Sequence, residues 1–236
     1  MTLCFNMIKR DKLSEVSLVN PDLKLFVIES PHFKYLKISN FLKYPNQFIE
    51  VLSEYPALVG PPYLSFPGAR QNFTPIEIKN ILMAYRVILN QIGVQTDPTK
   101  WISSTNIMWK DVECLVGSRK PHYDIGSMVA NLWLSDHQGG TSFYKYKETK
   151  LRAKDLDESE NIFAERENSI DIWKNFEGDA DWQKYYMIPS EFNTVHIYDG
   201  SFFHAAFPEL TDSYRYSLVS FYHEEAKFFE NMELIS

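Results

Sequence analysis

The sequence predicts a mainly β protein with supporting α-helices, built as a sandwich or jelly roll. Three observations predict it. From Trp101 onward, short apolar runs recur over residues 101–109, 112–116, 128–134, 141–146, 193–198 and 214–222. Clusters of Gly, Asp, Pro or Ser separate most of these runs, as turns separate short strands. The one strong helical period lies earlier, over residues 74–92.

Each element follows from local chemistry. Residues 24–28 and 33–38 read as short strands broken by Pro31. After Pro45, Phe48, Val51, Leu52 and Tyr55 fall at helical spacing. Gly60, Pro61, Pro62, Pro67 and Gly68 then mark an irregular loop. The clearest helix has Thr74 as N-cap, Pro75 at its first position and Glu77 placed to close a capping box. Phe73 and Ile78 are placed for a hydrophobic staple, and Gly93 suits the C-terminal stop. Ile78, Ile81, Leu82, Tyr85, Ile88, Leu89 and Ile92 make one broad apolar face. That face should pack flat against the outside of a sheet, in a supporting role. Residues 147–190 break the β pattern. They are rich in Asp, Glu and Lys, with amphipathic pieces around 161–176 and 182–187. They read as an insertion between two strands, partly helical and solvent-facing. The expectation is one domain over residues 1–236, in which residues 1–100 support a β core over residues 101–223.

Composition bounds the function. Hydrophobic residues are 44% and aromatics 15%, enough for a substantial core with rings to spare for a pocket. The formal net charge of -7 disfavours nucleic acid and acidic membranes as partners. No apolar run approaches the ~20 residues of a membrane helix, and none at the start suits a secretory signal. A cytoplasmic location is the default expectation. Cys4 and Cys114 give neither zinc-type spacing nor a disulfide framework.

The chemistry concentrates in four places. His122-Tyr123-Asp124 follows Pro121, and residues two apart in extended backbone point the same way. Imidazole and carboxylate can thus converge on one ion, although the triplet alone fits a surface histidine beside an acid. His204 adds a second imidazole near the end of an apolar run. Two histidines and one carboxylate form a facial triad that leaves three sites of an octahedral Fe(II) open, whereas structural zinc uses four closed protein ligands. Arg215 and Ser217 share one strand face by period-2 alternation, continued by Val219 and Phe221. An inward Arg in an apolar strand is costly without an anion. A guanidinium fork plus a hydroxyl suits the distal carboxylate of a dicarboxylate, the ordinary alternative being a protein carboxylate. Gly139-Gly140 precedes the apolar run Thr141–Tyr146, just after the run that starts at Met128.

In these blocks the chain resembles the Fe(II)/2-oxoglutarate-dependent dioxygenase superfamily, especially its prolyl-4-hydroxylase-like branch. The matching stretches are residues 121–124, 131–144 and 201–222. The resemblance implies a double-stranded β-helix core with N-terminal helices packed on it. It implies His122, Asp124 and His204 as iron ligands, and Arg215 and Ser217 as the pair that holds the distal carboxylate of 2-oxoglutarate. Asn131 and Tyr144 match strands that line the cofactor pocket in relatives. Prolyl hydroxylases commonly carry Lys at the Arg215 position, so the resemblance does not extend to proline as substrate. The implied activity is hydroxylation of a small-molecule or polypeptide substrate with release of succinate and CO2.

The remaining histidines have plainer readings. His32 and His137 sit in loop or turn sequence, while His196 and His223 alternate with, or end, apolar strands. Arg119 and Lys120 read as solvated loop, though placed to meet an acidic substrate. Two other functions compete. A cupin-like metal enzyme shares the jelly roll but leaves Arg215-x-Ser217 unexplained. A catalytically silent binding module would not need all three ligands.

Overall fold

The computed structural model describes residues 12–59, 68–111, 113–115, 120–124, 128–135, 137–157, 162, 170–172, 175–209 and 211–223. Loop positions 60–67, Cys4, Arg119 and most of the 161–176 stretch lie outside these residues.

Strands dominate: β1 Lys24–Glu29, β2 Lys34–Ser39, β3 Leu58–Val59, β4 Ala69–Phe73, β5 Trp101–Met108, β6 Glu113–Leu115, β7 Met128–Trp133, β8 Gly139–Tyr146, β9 Ile170–Ile172, β10 Trp182–Pro189, β11 Thr194–Tyr198, β12 His204–Pro208 and β13 Arg215–Tyr222. Residues 12–16 are helical, and the α-helices α1 Pro45–Ser53 and α2 Lys79–Gln91 follow before β5. Eight strands form one sheet in the order β1-β2-β11-β7-β13-β5-β4-β3, three form a second in the order β10-β8-β12, and β6 pairs with β9. The pairings in the two larger sheets are antiparallel. The protein is thus mainly β, as the spacing of apolar runs predicts.

Strand parity divides the large sheet between two environments. On β7, Ala130 and Leu132 join Val195 and Ile197 of β11 and Leu218 and Tyr222 of β13 in one apolar cluster. All seven predicted face residues of α2, Ile78 to Ile92, are buried in that cluster with Phe48 and Leu52 of α1. The helices therefore cover the outer face of the sheet. On the other side, Val129 and Val219 join Phe33, Tyr35, Phe143, Ile188, Tyr198 and Phe202 in a second cluster. Phe33 lies 4.5 Å from Phe143 of the small sheet and 4.9 Å from Phe202, centroid to centroid. This aromatic layer holds the two sheets together.

Three expectations change. Residues 182–187 belong to strand β10, paired with β8, rather than to a helix. A short apolar run cannot separate the two periods, and Trp182, Tyr185, Tyr186 and Ile188 favour a pleated, half-buried surface. The strand β4 follows the glycine- and proline-rich loop directly, so turn residues conceal it in the sequence. Helix α2 begins at Lys79, after a turn over residues 75–78. The Glu77 carboxylate accepts from the Thr74 N–H (2.8 Å) and from its hydroxyl (2.7 Å), so this half of the capping box closes on the turn.

Gly139 and Gly140 have a packing role beyond a turn. A Cβ on Gly140 would lie 1.9 Å from the Ile188 carbonyl oxygen of β10. One on Gly139, which has φ +90°, would lie 2.0 Å from the Phe207 oxygen of β12. Only glycine lets β8 pass between these two backbones. Among the described residues no helix is long and apolar enough to cross a membrane.

Candidate active site

The segment carrying His122 and Asp124 is fastened by backbone before its side chains do anything. The His122 N–H donates to the His204 carbonyl (2.9 Å), and the His204 N–H returns a bond to the His122 carbonyl (2.8 Å). The Asp124 N–H donates to the Gly200 carbonyl (2.9 Å). The triplet is therefore held by a single bridge to the start of β12, not by a strand of its own. Its spacing still presents both side chains to one point. The three ligand atoms of His122, Asp124 and His204 lie within 4.8 Å of one another. His204 Nε2 stands 3.0 Å from Asp124 Oδ2, and His122 Nε2 stands 3.9 Å from Asp124 Oδ1.

The second nitrogen of each ring fixes its orientation. His204 Nδ1 lies 2.8 Å from the Phe202 carbonyl, which makes Nδ1 the donor and turns Nε2 toward Asp124. His122 Nδ1 faces the Lys120 carbonyl at 3.4 Å. Burial pulls the His204 imidazolium down, but Asp124 beside it outweighs this and holds it above its ordinary value. Burial likewise pushes Asp124 up, and His204, His122 and Arg70 together overcome it and hold the carboxyl below its usual range. A half-buried acid with two imidazoles around it is a site prepared for a cation.

These ligands help line a cavity of about 130 Å³ between the two sheets. The small sheet and β11 contribute Thr141, His204, Ala206 and Tyr198. The large sheet contributes Val129, Asn131 and Trp133 of β7, Asn106 and Met108 of β5, and Arg70 of β4. From β13 come Arg215, Ser217, Val219 and Phe221, the four residues that alternation places on one face.

Arg215 is only 3% exposed, and among the described residues no carboxylate pairs with it. Its Nη1 donates to Met108 Sδ at 3.4 Å, a weak acceptor, and its Nε has no hydrogen-bond partner among the described residues. The guanidinium stands over the Trp133 ring, 4.7 Å from the centroid. Burial pushes it down to about 10, so it stays cationic at neutral pH. Trp133 is itself pinned, since its Nε1–H donates to His196 Nδ1 at 2.9 Å. Burial, with Lys37 nearby, pushes His196 down to about 3, so the ring is neutral and its Nδ1 can accept. Asn131 is 7% exposed and its Oδ1 also lacks a hydrogen-bond partner among the described residues.

The structure thus brings His122, Asp124, His204, Arg215, Ser217 and Asn131 to one cavity. Tyr144 is elsewhere, on the face of β8 opposite that of Thr141 and Phe143. It packs with Trp182, Phe203 and Ala205, and its hydroxyl donates to the Phe176 carbonyl (2.6 Å). Sequence reasoning missed Arg70, Asn106, Thr141 and Tyr198. The first two sit beyond the motifs, on the β4–β5 pair. For the others a signal exists in the parity that Thr141 shares with Phe143, and Tyr198 with His196.

The donor set and the orphaned polar atoms fit a metal and a small anion. Two nitrogen donors and one carboxylate match the ligand count of a metal site with open positions. The same cavity is lined by a buried guanidinium and an amide oxygen with unmet hydrogen-bonding capacity among the described residues. The cavity is well below the ~300–1,000 Å³ of a drug-sized ligand pocket, which favours a molecule of few heavy atoms.

Among solved structures, the chain is similar to a prolyl-4-hydroxylase from Pseudomonas putida, with 11% identity, 92% of this chain and 100% of that chain covered, and a TM-score of 0.45. It is also similar to HygX from Streptomyces hygroscopicus, a structure with nickel and 2-oxoglutarate bound (10% identity; 78% and 80% covered; TM-score 0.44). A third is an oxidoreductase of the 2OG-Fe(II) oxygenase family from Burkholderia pseudomallei (10% identity; 96% and 93% covered; TM-score 0.43). No curated protein matches the chain. The model of DUF6445, a family of unknown function, matches residues 20–213, and the chain belongs to that family.

Proposed function

We propose that this protein is an Fe(II)- and 2-oxoglutarate-dependent oxygenase that hydroxylates a small-molecule or polypeptide substrate. The fold in this reading is a double-stranded β-helix, with the two facing sheets as its walls and α1 and α2 as its outer support. The observation that carries the reading is Arg215: a buried cation with no carboxylate partner among the described residues, lining the same cavity as a His-Asp-His triad. A triad alone would serve any metal enzyme. A buried guanidinium fork beside it calls for a carboxylate that the described residues do not provide.

His122, Asp124 and His204 would hold the iron, each through the atom that already faces the common point. Bound iron and 2-oxoglutarate supply oxidative decarboxylation to succinate and CO2, coupled to oxidation of a substrate C–H bond. The protein's own task is positioning. Arg215 and Ser217 would take the distal carboxylate, with Trp133 stacked on the guanidinium and His196 fixing the indole. Asn131 offers its unbonded oxygen to the same cavity. Val129, Val219 and Phe221 keep that space apolar, which strengthens each charge interaction inside it. A cupin-like reading leaves Arg215 without a purpose, and a silent module leaves the aligned ligands without one.

The test is product formation. Purified protein with Fe(II), 2-oxoglutarate and O2 should release succinate, slowly without substrate and faster with one. Absence of succinate from protein shown to bind both iron and 2-oxoglutarate would remove the oxygenase reading.

A further inference from the structure

Burial divides the cavity into a floor and a rim. Arg215, Ser217, Asn131, Trp133 and His204 belong to the floor, each at 7% exposure or less. Arg70, Asn106, His122, Asp124, Ala206 and Phe221 line the same cavity and are only half-buried. The side chains of His122 and Asp124 are 36% and 22% exposed, against 6% for His204. Two of the three metal ligands thus share the rim with Asn106, while Arg215 lies in the floor. A molecule entering from solvent meets the rim first.

Asn106 has no task in the oxygenase reading. It stands on β5, opposite Ser217 of β13 on one side and Arg70 of β4 on the other. Its Oδ1 is buried and has no hydrogen-bond partner among the described residues. An amide oxygen left in that state costs about 1–3 kcal/mol. Its rim neighbours Ala206 and Phe221 are apolar, and Arg70 has Asp124 within electrostatic reach. The co-substrate cannot satisfy it either. At neutral pH 2-oxoglutarate carries two carboxylates and a ketone, which only accept. The oxygen lacks a donor, and neither the metal nor the co-substrate brings one.

Resting on the oxygenase reading, we propose that Asn106 binds the substrate, its Oδ1 accepting from an amide N–H or a hydroxyl at the cavity rim. The substrate class is then a molecule with an amide or hydroxyl group near the C–H bond that it presents to the iron. Phe221 and Ala206 give the carbon bearing that bond an apolar surface on the same rim. Asn106 selects the substrate at the rim, and Arg215 keeps the co-substrate in the floor.

The experiment uses the full chain loaded with Mn(II), which is paramagnetic and stable in air, with and without saturating 2-oxoglutarate. Acetamide, ethanol and acetate are titrated separately, and the relaxation of their methyl protons is measured. Acetate has the shape of acetamide but no donor. The expected result is saturable enhancement with acetamide or ethanol, its half-saturating concentration raised roughly fivefold or more in Asn106→Leu, which is similar in size and has no polar side-chain atom. Asn106→Asp, which keeps an acceptor oxygen, should retain binding. Enhancement with acetamide identifies an amide, and enhancement with ethanol a hydroxyl. Acetate should be indifferent to Asn106→Leu, and so should the affinity for 2-oxoglutarate, which also shows that the variant is folded. Equal half-saturation in wild type and Asn106→Leu, an equal loss for acetate, or no saturable enhancement with either donor overturns the proposal. Weakened 2-oxoglutarate binding in a folded Asn106→Leu would place Asn106 with the co-substrate and overturn it too. Failure of 2-oxoglutarate to bind the wild type would instead count against the oxygenase reading, and the titrations without it still read the Asn106 site.

Discussion

Replacing Arg215 with methionine should weaken 2-oxoglutarate binding and at the same time stabilise the ligand-free protein. The opposite signs follow from the surroundings of the side chain. Taking an ion out of water costs several kcal/mol even after relaxation. Arg215 recovers little of this from the Met108 sulfur, and about 2 kcal/mol from the Trp133 face. Methionine fills similar volume with no charge. Even buried ion pairs, when replaced by packed apolar side chains, often leave a protein as stable or more stable by about 1–4 kcal/mol, and Arg215 has less pairing to lose. At roughly 2–4 °C per kcal/mol for a domain of this size, the melting temperature of the metal-free protein should rise by several degrees. Each hydrogen bond to a charged group contributes about 1.5–3 kcal/mol, so loss of a two-pronged contact weakens 2-oxoglutarate by roughly a hundredfold or more. Calorimetric melting gives the first number. Titration of 2-oxoglutarate into Zn(II)-loaded protein gives the second. A variant that melts lower and binds the co-substrate as well as wild type would show that Arg215 is an ordinary structural cation, and the reasoning would fail.

Other expectations concern the metal, the support beneath it and the strand that frames it. His204→Ala removes one of three ligands. Since loss of a hydrogen-bond partner behind a ligand already costs about 10–100-fold in metal affinity, this loss should exceed a hundredfold, read by competition with a chromogenic chelator. Metal must displace the proton that Asp124 favours on His204, so affinity should climb as pH rises past 6.5, with proton release visible as a buffer-dependent binding heat. His196 carries a stability signature of its own. Its folded value, about 3, lies below the ordinary 6.5, so the unfolded chain takes up a proton first as pH falls. Stability from this residue is full above pH 6.5 and declines toward pH 3, by up to about 1.4 kcal/mol per pH unit. His196→Asn should flatten that slope in denaturant melts at several pH values. An unchanged slope would contradict a buried neutral ring. Gly140→Ala should destabilise the fold by about 2–3 kcal/mol or more, because its methyl group would strike the Ile188 carbonyl. Wild-type stability in that variant would mean that β8 and β10 are not so closely paired.

Much of the fold is legible in the sequence because single-residue periods report on single faces. The seven apolar residues of α2 form one stripe, and all are buried against the large sheet. Arg215, Ser217, Val219 and Phe221 alternate, and all line the cavity. The same rule explains the miss at Tyr144. Membership of β8 does not settle which face a residue takes, and Thr141 marks the cavity-facing parity. Strand β10 is hard to see in the sequence because eight residues rich in aromatics fit either period. The choice is made by pairing with β8, across about forty residues of sequence. Arg70 and Asn106 are illegible for a related reason. Nothing local marks them, and only the register of β4, β5 and β13 brings them to the row of Ser217. Asp124 and His204 show the reverse. Their meeting is long-range, yet the choice of residue types at both ends declares it.

In the proposed enzyme, one cavity holds a metal at the triad and 2-oxoglutarate between that metal and Arg215. The most direct measurement is an anaerobic titration of 2-oxoglutarate into Fe(II)-loaded protein, followed by visible absorption and calorimetry together. One equivalent should bind, with a charge-transfer band that saturates at the same ratio and disappears at equal concentrations in Arg215→Met. Iron bound by the triad, with no band and no heat on adding 2-oxoglutarate, would contradict it.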